Sequence, residues 1–289
     1  MKTICIVISL LILSVVCFPQ QTNSDEIKVM TFNIRCGSCE KPEDVNNWKN
    51  RKSLAAKVIK ENDPDLIGVQ EAEKFQIDDL DSLLQNYNWI GAGRDDGKNG
   101  GEFTAIFYKK DKFSEEESST FWLSETPDVP SKGWDAALNR TATYIKLKEK
   151  VSGKEFYLFN THFDHMGDTA RVESAKLILK KIENIAEDFP VVLTGDFNVV
   201  PESEPYKIIV NGNENPFHLF DTSQLSQTPP FGGISTFNGF GKTMDMGRTI
   251  DYIFVNDKVK VLAHGVITTT YNDNYPSDHY PVVSEIVLK

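Results

Sequence analysis

Short apolar runs rich in β-branched and aromatic residues recur along the chain, each bounded by polar or turn-forming residues. They are IKVMTFNI (27–34), DLIGVQE (65–71), FTAIFY (103–108), TATYIKL (141–147), EFYLFNTH (155–162), PVVLTGDF (190–197), TIDYIFV (249–255) and YPVVSEIVL (280–288). Their length and composition predict strands. Several, such as VVL and IDYIFV, are apolar on both faces, as expected of sheets covered on both sides. Two helical patterns stand out between them. From Trp48 to Ile59 apolar residues fall at 48, 54, 55, 58 and 59, and Asp63-Pro64 ends the helix. From Asp168 to Ala186 the stripe Val172, Ala175, Ile178, Leu179, Ile182 and Ile185 marks one face, with Asp168 as the expected N-cap. Its other sides carry Glu173, Lys176, Lys180, Lys181 and Glu183, so this helix covers a sheet from outside. The expected class is therefore α/β, two sheets with helices outside them. No repeat or linker interrupts residues 21–289, which are expected to form one domain.

The N-terminus follows a different pattern. Lys2 precedes an unbroken apolar run from Ile4 to Phe18, then Pro19-Gln20-Gln21, the layout of a secretory signal peptide over residues 1–20. The run is short for a membrane span. Lipid attachment at Cys17 is an alternative that the bulky Val16 disfavours. An exported protein, periplasmic or secreted, is expected.

Charge narrows the partners. The chain has 31 basic and 42 acidic side chains, and only Lys2 is charged in the first twenty residues. The remainder thus carries 30 against 42, a net of −12, and repels polyanions at long range. Nucleic acid is disfavoured as a partner, and small or lipid-borne phosphates become more attractive; a monomer is expected. Two of the four cysteines lie in the leader, leaving Cys36 and Cys39 in CGSC. A zinc half-site would need a second ligand pair, so the pair reads as a small disulfide loop or two free thiols.

Polar residues gather where strands stop. On the first strand the alternating face Ile27, Val29, Thr31, Asn33 runs from apolar into a carboxamide, and on the second Ile67, Val69, Glu71 runs into a carboxylate. Asp196 and Asn198 in GDFN are two apart, so an extended backbone would aim both the same way. Asp251 shares a face with Ile253 and Val255, where an unpaired carboxylate would be costly, and His279 in SDHYPV is a partner on offer. Each residue alone reads more simply as a turn former or a satisfied core group. Together, oxygen ligands and imidazoles without a cysteine cluster suit a hard cation: magnesium, manganese or calcium.

MTFNIR, VQE, NTHFDH, GDFN, TIDYIFV and SDHYPV, in this order, resemble the motifs of the endonuclease/exonuclease/phosphatase superfamily across nearly the whole chain after the leader. The resemblance implies a four-layer α-β-β-α sandwich of two mostly antiparallel sheets, with a metal-dependent phosphoesterase site at one end. Carried over by motif, Glu71, Asn33 and Asp278 would hold the metal. Asp196 would orient or deprotonate the attacking water, and Asn198 would hold the phosphate or that water. His279, held by Asp251, would donate to a phosphoryl oxygen, and His162 would be a second phosphate contact with Glu102 as its partner. Carboxylates for a cation, imidazoles for developing charge and a base behind water are what phosphoester hydrolysis requires.

Two stretches depart from the shared motifs, the loop from Cys36 to Lys52 and the segment FWLSETPDVPSKGWDAALNRT (121–141). In the second, Trp134, Asp135 and Arg140 are candidates to line the pocket, and Phe121, Trp122 and Trp134 for an exposed apolar loop. Asp164 and His165 are candidate substrate contacts, and Arg171 is read as part of a solvated helix face. A nuclease of the same fold, or a binding protein that kept the sandwich without the reaction, are the alternatives.

Overall fold

The computed structural model describes residues 26–211, 217–242 and 248–289, so the leader and Cys17 lie outside the described residues. Two sheets form. The first runs β10 (Phe231–Gly232), β12 (Val259–Val266), β13 (Val282–Leu288), β1 (Glu26–Asn33), β2 (Leu66–Glu73), β4 (Glu102–Lys109), β3 (Tyr87–Ile90). The second runs β5 (Phe113–Trp122), β6 (Thr141–Glu149), β7 (Glu155–His162), β8 (Val191–Asp196), β11 (Asp251–Val255), β9 (Phe220–Asp221). The pairs β1–β2, β7–β8 and β10–β12 are parallel and the others antiparallel.

Three apolar layers follow from the alternation of side chains. Ile27 and Val29 of β1 join Ile145 and Leu158 of the facing sheet between the two sheets. Met30 and Phe32, pointing the other way, pack on α1 (Trp48–Asn62) and α2 (Lys74–Leu83). On the far side, Tyr157, Phe159 and Leu193 pack on α3 (Asp168–Ala186) and α4 (Glu204–Val210). This is the expected α-β-β-α order, and among the described residues no helix is long and apolar enough to cross a membrane.

The sheets are tied by polar groups midway to one end. Gln70 donates to Asn160 Oδ1 (2.6 Å) and Thr31 Oγ1 (2.9 Å), and Thr194 Oγ1 donates to the same Asn160 oxygen (3.1 Å). Gly68 makes the approach possible, since a Cβ there would sit 2.2 Å from Thr194 Oγ1. Beyond this network the lining becomes mainly polar, with Leu138, Phe237 and Ile250 among the charged and hydrogen-bonding groups.

Helix α3 spans the expected residues, but its start differs. Gly167 is the N-cap, and Asp135, from the 121–141 segment, accepts from Thr169 N–H (3.2 Å) and Ala170 N–H (2.6 Å). Asp168 is an exposed first-turn residue paired with Arg171, which also donates to Asp164 O (2.9 Å). Asp135 is thus a helix cap rather than a pocket residue. Phe121 and Trp122 are buried, with the Trp122 indole on Arg94 O (2.7 Å), so they form no exposed apolar loop.

Candidate active site

Neighbouring strands of the second sheet set three groups in a row. In register, His162 of β7 stands beside Asp196 of β8, and Asp196 opposite Asp251 of β11. All three are at most 5% exposed. From the first sheet, Asn33 reaches across, donating to Asp196 Oδ2 (2.9 Å) and Glu71 Oε1 (3.0 Å) through one amide nitrogen. Its oxygen accepts Arg35 N–H (2.9 Å), which fixes the amide's orientation. Asn33 therefore faces the carboxylates as a donor, not as the oxygen ligand expected.

Glu71 arrives by a route that alternation does not describe. Ile67 and Val69 face the helices, so a regular strand would send Glu71 there too. One extra residue on β2 shifts its pairing with β4 between Val69 and Ala72, and Glu71 takes a left-handed backbone (φ 63°). This bulge turns the carboxylate into the site, where Cys36 N–H donates to Oε2 (3.0 Å). Asn198 likewise is not extended: it is left-handed (φ 51°), its N–H closing a turn on Asp196 Oδ1 (2.9 Å).

His279 Nδ1 meets Asp251 Oδ2 at 2.9 Å, the predicted pairing, and its Nε2 lies 3.8 Å from Asp196 Oδ2. Burial works against charge on His279, but the charge and hydrogen bond of Asp251, with Asp196 and Asp278, push its pKa up to about 10. Burial and the nearby Asp251 raise Asp196 to about 7, against the pull of His279, Asn33 and Asn198 N–H. Asp278 is bound by Arg35 Nη1 (2.6 Å), and Ser277 Oγ donates to Asn33 O (2.7 Å), tying this loop to the end of β1.

The opposite wall is built differently. His162 Nε2 lies 3.1 Å from Asn198 Nδ2, which also donates to Phe163 O (3.1 Å), and 3.6 Å from Asp196 Oδ2. Burial, then the charges of Arg140, Arg94, His279 and His165, hold His162 well below its ordinary pKa. Its Nδ1 is 4.0 Å from Glu102, whose carboxylate is taken by Arg94 Nη1 (2.5 Å). Burial and the charge of Glu71 raise Glu102 to about 7, against the pull of Arg94 and Arg140. Arg140 is buried, with Nε on Asp164 Oδ2 (3.2 Å) and Nη2 on His165 Nδ1 (2.9 Å). Asp164 is no substrate contact: its oxygens accept Met166, Gly167 and Leu138 N–H, and it sits behind Arg140. These groups surround a cavity of about 440 Å³ lined by Arg35, Glu71, Glu102, Arg140, His162, His165, Asp196, Asn198, Asp278 and His279.

The profile of the Endonuclease/Exonuclease/phosphatase family matches residues 30–279. The chain belongs to this family. It is a hydrolase of phosphoester bonds, as family members are. It is 30% identical over 273 residues to uncharacterized protein L388 of Acanthamoeba polyphaga mimivirus, covering 89% of this chain and 98% of that one. It is 27% identical to nocturnin of Drosophila melanogaster, spanning 91% of this chain but only 47% of nocturnin. Among solved structures, the Bacteroides thetaiotaomicron mannosyl-6-phosphatase Bt3783 superposes with a TM-score of 0.85 at 39% identity, covering 91% of this chain and all of that one.

Endonuclease/exonuclease/phosphatase proteins are typically divalent-metal dependent, and the donors of this chain fit that chemistry. Glu71, His162 and Asp196 place ligand atoms within 4.8 Å of one another. Arg35 sits on Asp278, Arg94 on Glu102 and His279 on Asp251, whereas Glu71 has no ion pair among the described residues. A carboxylate left thus, beside Asp196, suits a hard cation. Cys36 and Cys39 are disulfide-bonded at the cavity edge.

Sequence reasoning missed Arg35, Arg94, Arg248 and Phe237. The Phe237 ring packs edge-on against His279 (5.1 Å), and Arg248 lines the cavity. No motif marks them, although Arg35 ends MTFNIR. It also missed Arg51, fully buried in α1 and bonded to Glu40 and to Arg35 O.

Proposed function

We propose that this protein is an exported phosphoesterase that hydrolyses a small-molecule or sugar phosphate by metal-assisted, in-line attack of water. The observation that carries this reading is the convergence of Glu71, Asp196 and His279 on one cavity, with Asn33 bonded to Asp196 and Asp251 to His279 behind them. The N-terminal apolar run supports export, and the unbroken pattern over 21–289 supports one domain.

Glu71, oriented by Asn33 and Cys36 N–H, and Asp278 would hold the cation. Magnesium fits the oxygen donors best, with manganese or calcium as substitutes, and any of them would draw charge from the phosphoryl oxygens. Asp196, with its pKa near neutrality, takes a proton from the attacking water. His279, charged and braced by Asp251, donates to a phosphoryl oxygen as charge builds. Asn198 and His162 hold each other and close the wall beside Asp196.

The acidic chain and the similarity to a mannosyl-6-phosphatase favour a sugar phosphate. Similarity, at 22% identity, to the 3'-5'-exoribonuclease subunit Ccr4 of Aspergillus niger supports a nuclease as second reading, which the net charge opposes. A binding protein without activity is disfavoured by the complete set of groups. Turnover of a hexose 6-phosphate, bis(p-nitrophenyl) phosphate and single-stranded DNA, with chelator and with magnesium, tests the reading. Chelator should abolish hydrolysis of the sugar phosphate and magnesium restore it. Asp196→Ala or His279→Ala should each cut kcat by about 10³-fold or more. Unchanged rates in both variants would discard the mechanism.

A further inference from the structure

On the Asp196 face of the cavity, His279 supplies a charged donor from one side. The other side should supply one too, and His162 does not. Its Nε2 accepts the Asn198 amide, whose second hydrogen goes to Phe163 O, and its own proton, on Nδ1, is turned toward Glu102 at 4.0 Å, so neither group offers a hydrogen beside Asp196. Arg94 holds Glu102 through Nη1 and is not among the residues lining the cavity, and its carbonyl is held by the Trp122 indole and Asn139.

Arg140 is placed otherwise. It directly precedes β6 and is 4% exposed, yet it lines the cavity. Asp164, itself fixed by three backbone N–H groups, grips only Nε. Nη2 donates to His165 Nδ1, so that nitrogen is bare and the His165 proton sits on Nε2. Nη1 makes no hydrogen bond among the described residues. A guanidinium braced on one edge and unpaired at one corner, beside an imidazole N–H, is an anion grip.

We propose that Arg140 and His165 bind the third non-bridging oxygen of a phosphomonoester and thereby select monoesters over diesters; this rests on the phosphoesterase reading above. A monoester presents three non-bridging oxygens and up to two charges, a diester two oxygens and one charge. In a diester the third position carries a second ester substituent. Arg140 would then face carbon, leaving its unpaired corner desolvated and unmatched. Selectivity comes as much from that penalty as from the favourable contact.

The test compares kcat/KM for p-nitrophenyl phosphate and bis(p-nitrophenyl) phosphate at saturating magnesium, in wild type, Arg140→Gln and His165→Ala, with inhibition by inorganic phosphate measured alongside. Arg140→Gln should lower monoester kcat/KM by about 10²-fold, with a loss at least about tenfold smaller on the diester, and weaken phosphate inhibition by about tenfold or more. His165 is exposed, so its alanine variant should fold even where loss of the buried Arg140 pair does not permit folding; it should shift selectivity the same way by several-fold. Equal losses on both esters, or none, with unchanged phosphate inhibition would overturn the proposal. A wild type inert on both esters would overturn the phosphoesterase reading and this proposal with it, whereas an active wild type with equal losses overturns this proposal alone.

Discussion

His162 and His279 flank one carboxylate, Asp196, at 3.6 and 3.8 Å, and both are buried, yet they are held in opposite charge states. Burial disfavours the imidazolium in each. For His279 it is outweighed by Asp251, whose oxygen lies 2.9 Å from Nδ1; for His162 the nearest polar group is an uncharged amide, the carboxylates of Asp196 and Glu102 stand further off at 3.6 and 4.0 Å, and the charges of Arg140, Arg94, His279 and His165 add to burial. What decides is the partner set by strand register, not depth. Asp251 stands opposite Asp196 on β11, whereas beyond the end of β8 the chain turns back through left-handed Asn198 and offers only a carboxamide.

The contrast is most severely tested by Asp251→Asn. Removing the carboxylate should leave His279 neutral and cut kcat by about 10³-fold or more, read in steady-state assays with magnesium present. A fall below tenfold would mean that its charge is not used. His162→Gln, which keeps an acceptor near Asn198, should cost far less, about tenfold in kcat/KM. A loss matching that of Asp251→Asn would erase the distinction between the two histidines.

A weaker effect is expected away from both imidazoles. Cys36→Ser with Cys39→Ser frees the loop whose N–H groups bind Glu71, Glu73 and Gln76. The magnesium concentration for half-maximal activity should rise by about tenfold with kcat little changed, since orienting groups act on ligand geometry. The smallest effect concerns His264, buried against Thr222 and Ser284, its pKa lowered by burial despite Asp221. Here the unfolded chain binds the proton more readily. The neutral form's contribution is complete above the unfolded value, about 6.5, and is lost as pH falls below it toward the folded value. Melting temperature should thus decline on acidification through this range, and His264→Gln should flatten that slope; an unaltered slope would show that other groups cause it.

Much of this was legible because the period of a strand carries its face. Asn33 lies on the face of Ile27 and Val29, and Asp251 on that of Ile253 and Val255, as their spacing predicts. Helix α3 announced itself by a regular stripe. Glu71 reached the site for a reason its spacing misstated, because a bulge inverts the parity of a strand and leaves no mark in hydrophobicity. Strand β5 was missed since its middle, SEEESS, is polar: it is a sheet edge, where charge discourages pairing with other chains. Arg35, Arg94 and Arg140 are individually ordinary residues. Only tertiary contact separates the arginine spent on Glu102 from the one left open to the cavity.

The buried tie of Gln70, Asn160 and Thr194 has an outcome for the life of such a scaffold. Half of the reaction centre rides on one sheet and half on the other, so slippage between them by a fraction of a bond length would spoil every alignment at once. A hydrogen-bonded clasp beneath the centre, admitted by the bare α-carbon of Gly68, locks that offset. The segments bearing Arg140 and Arg248 reach the cavity outside the clasp, so a change in either leaves that offset in place.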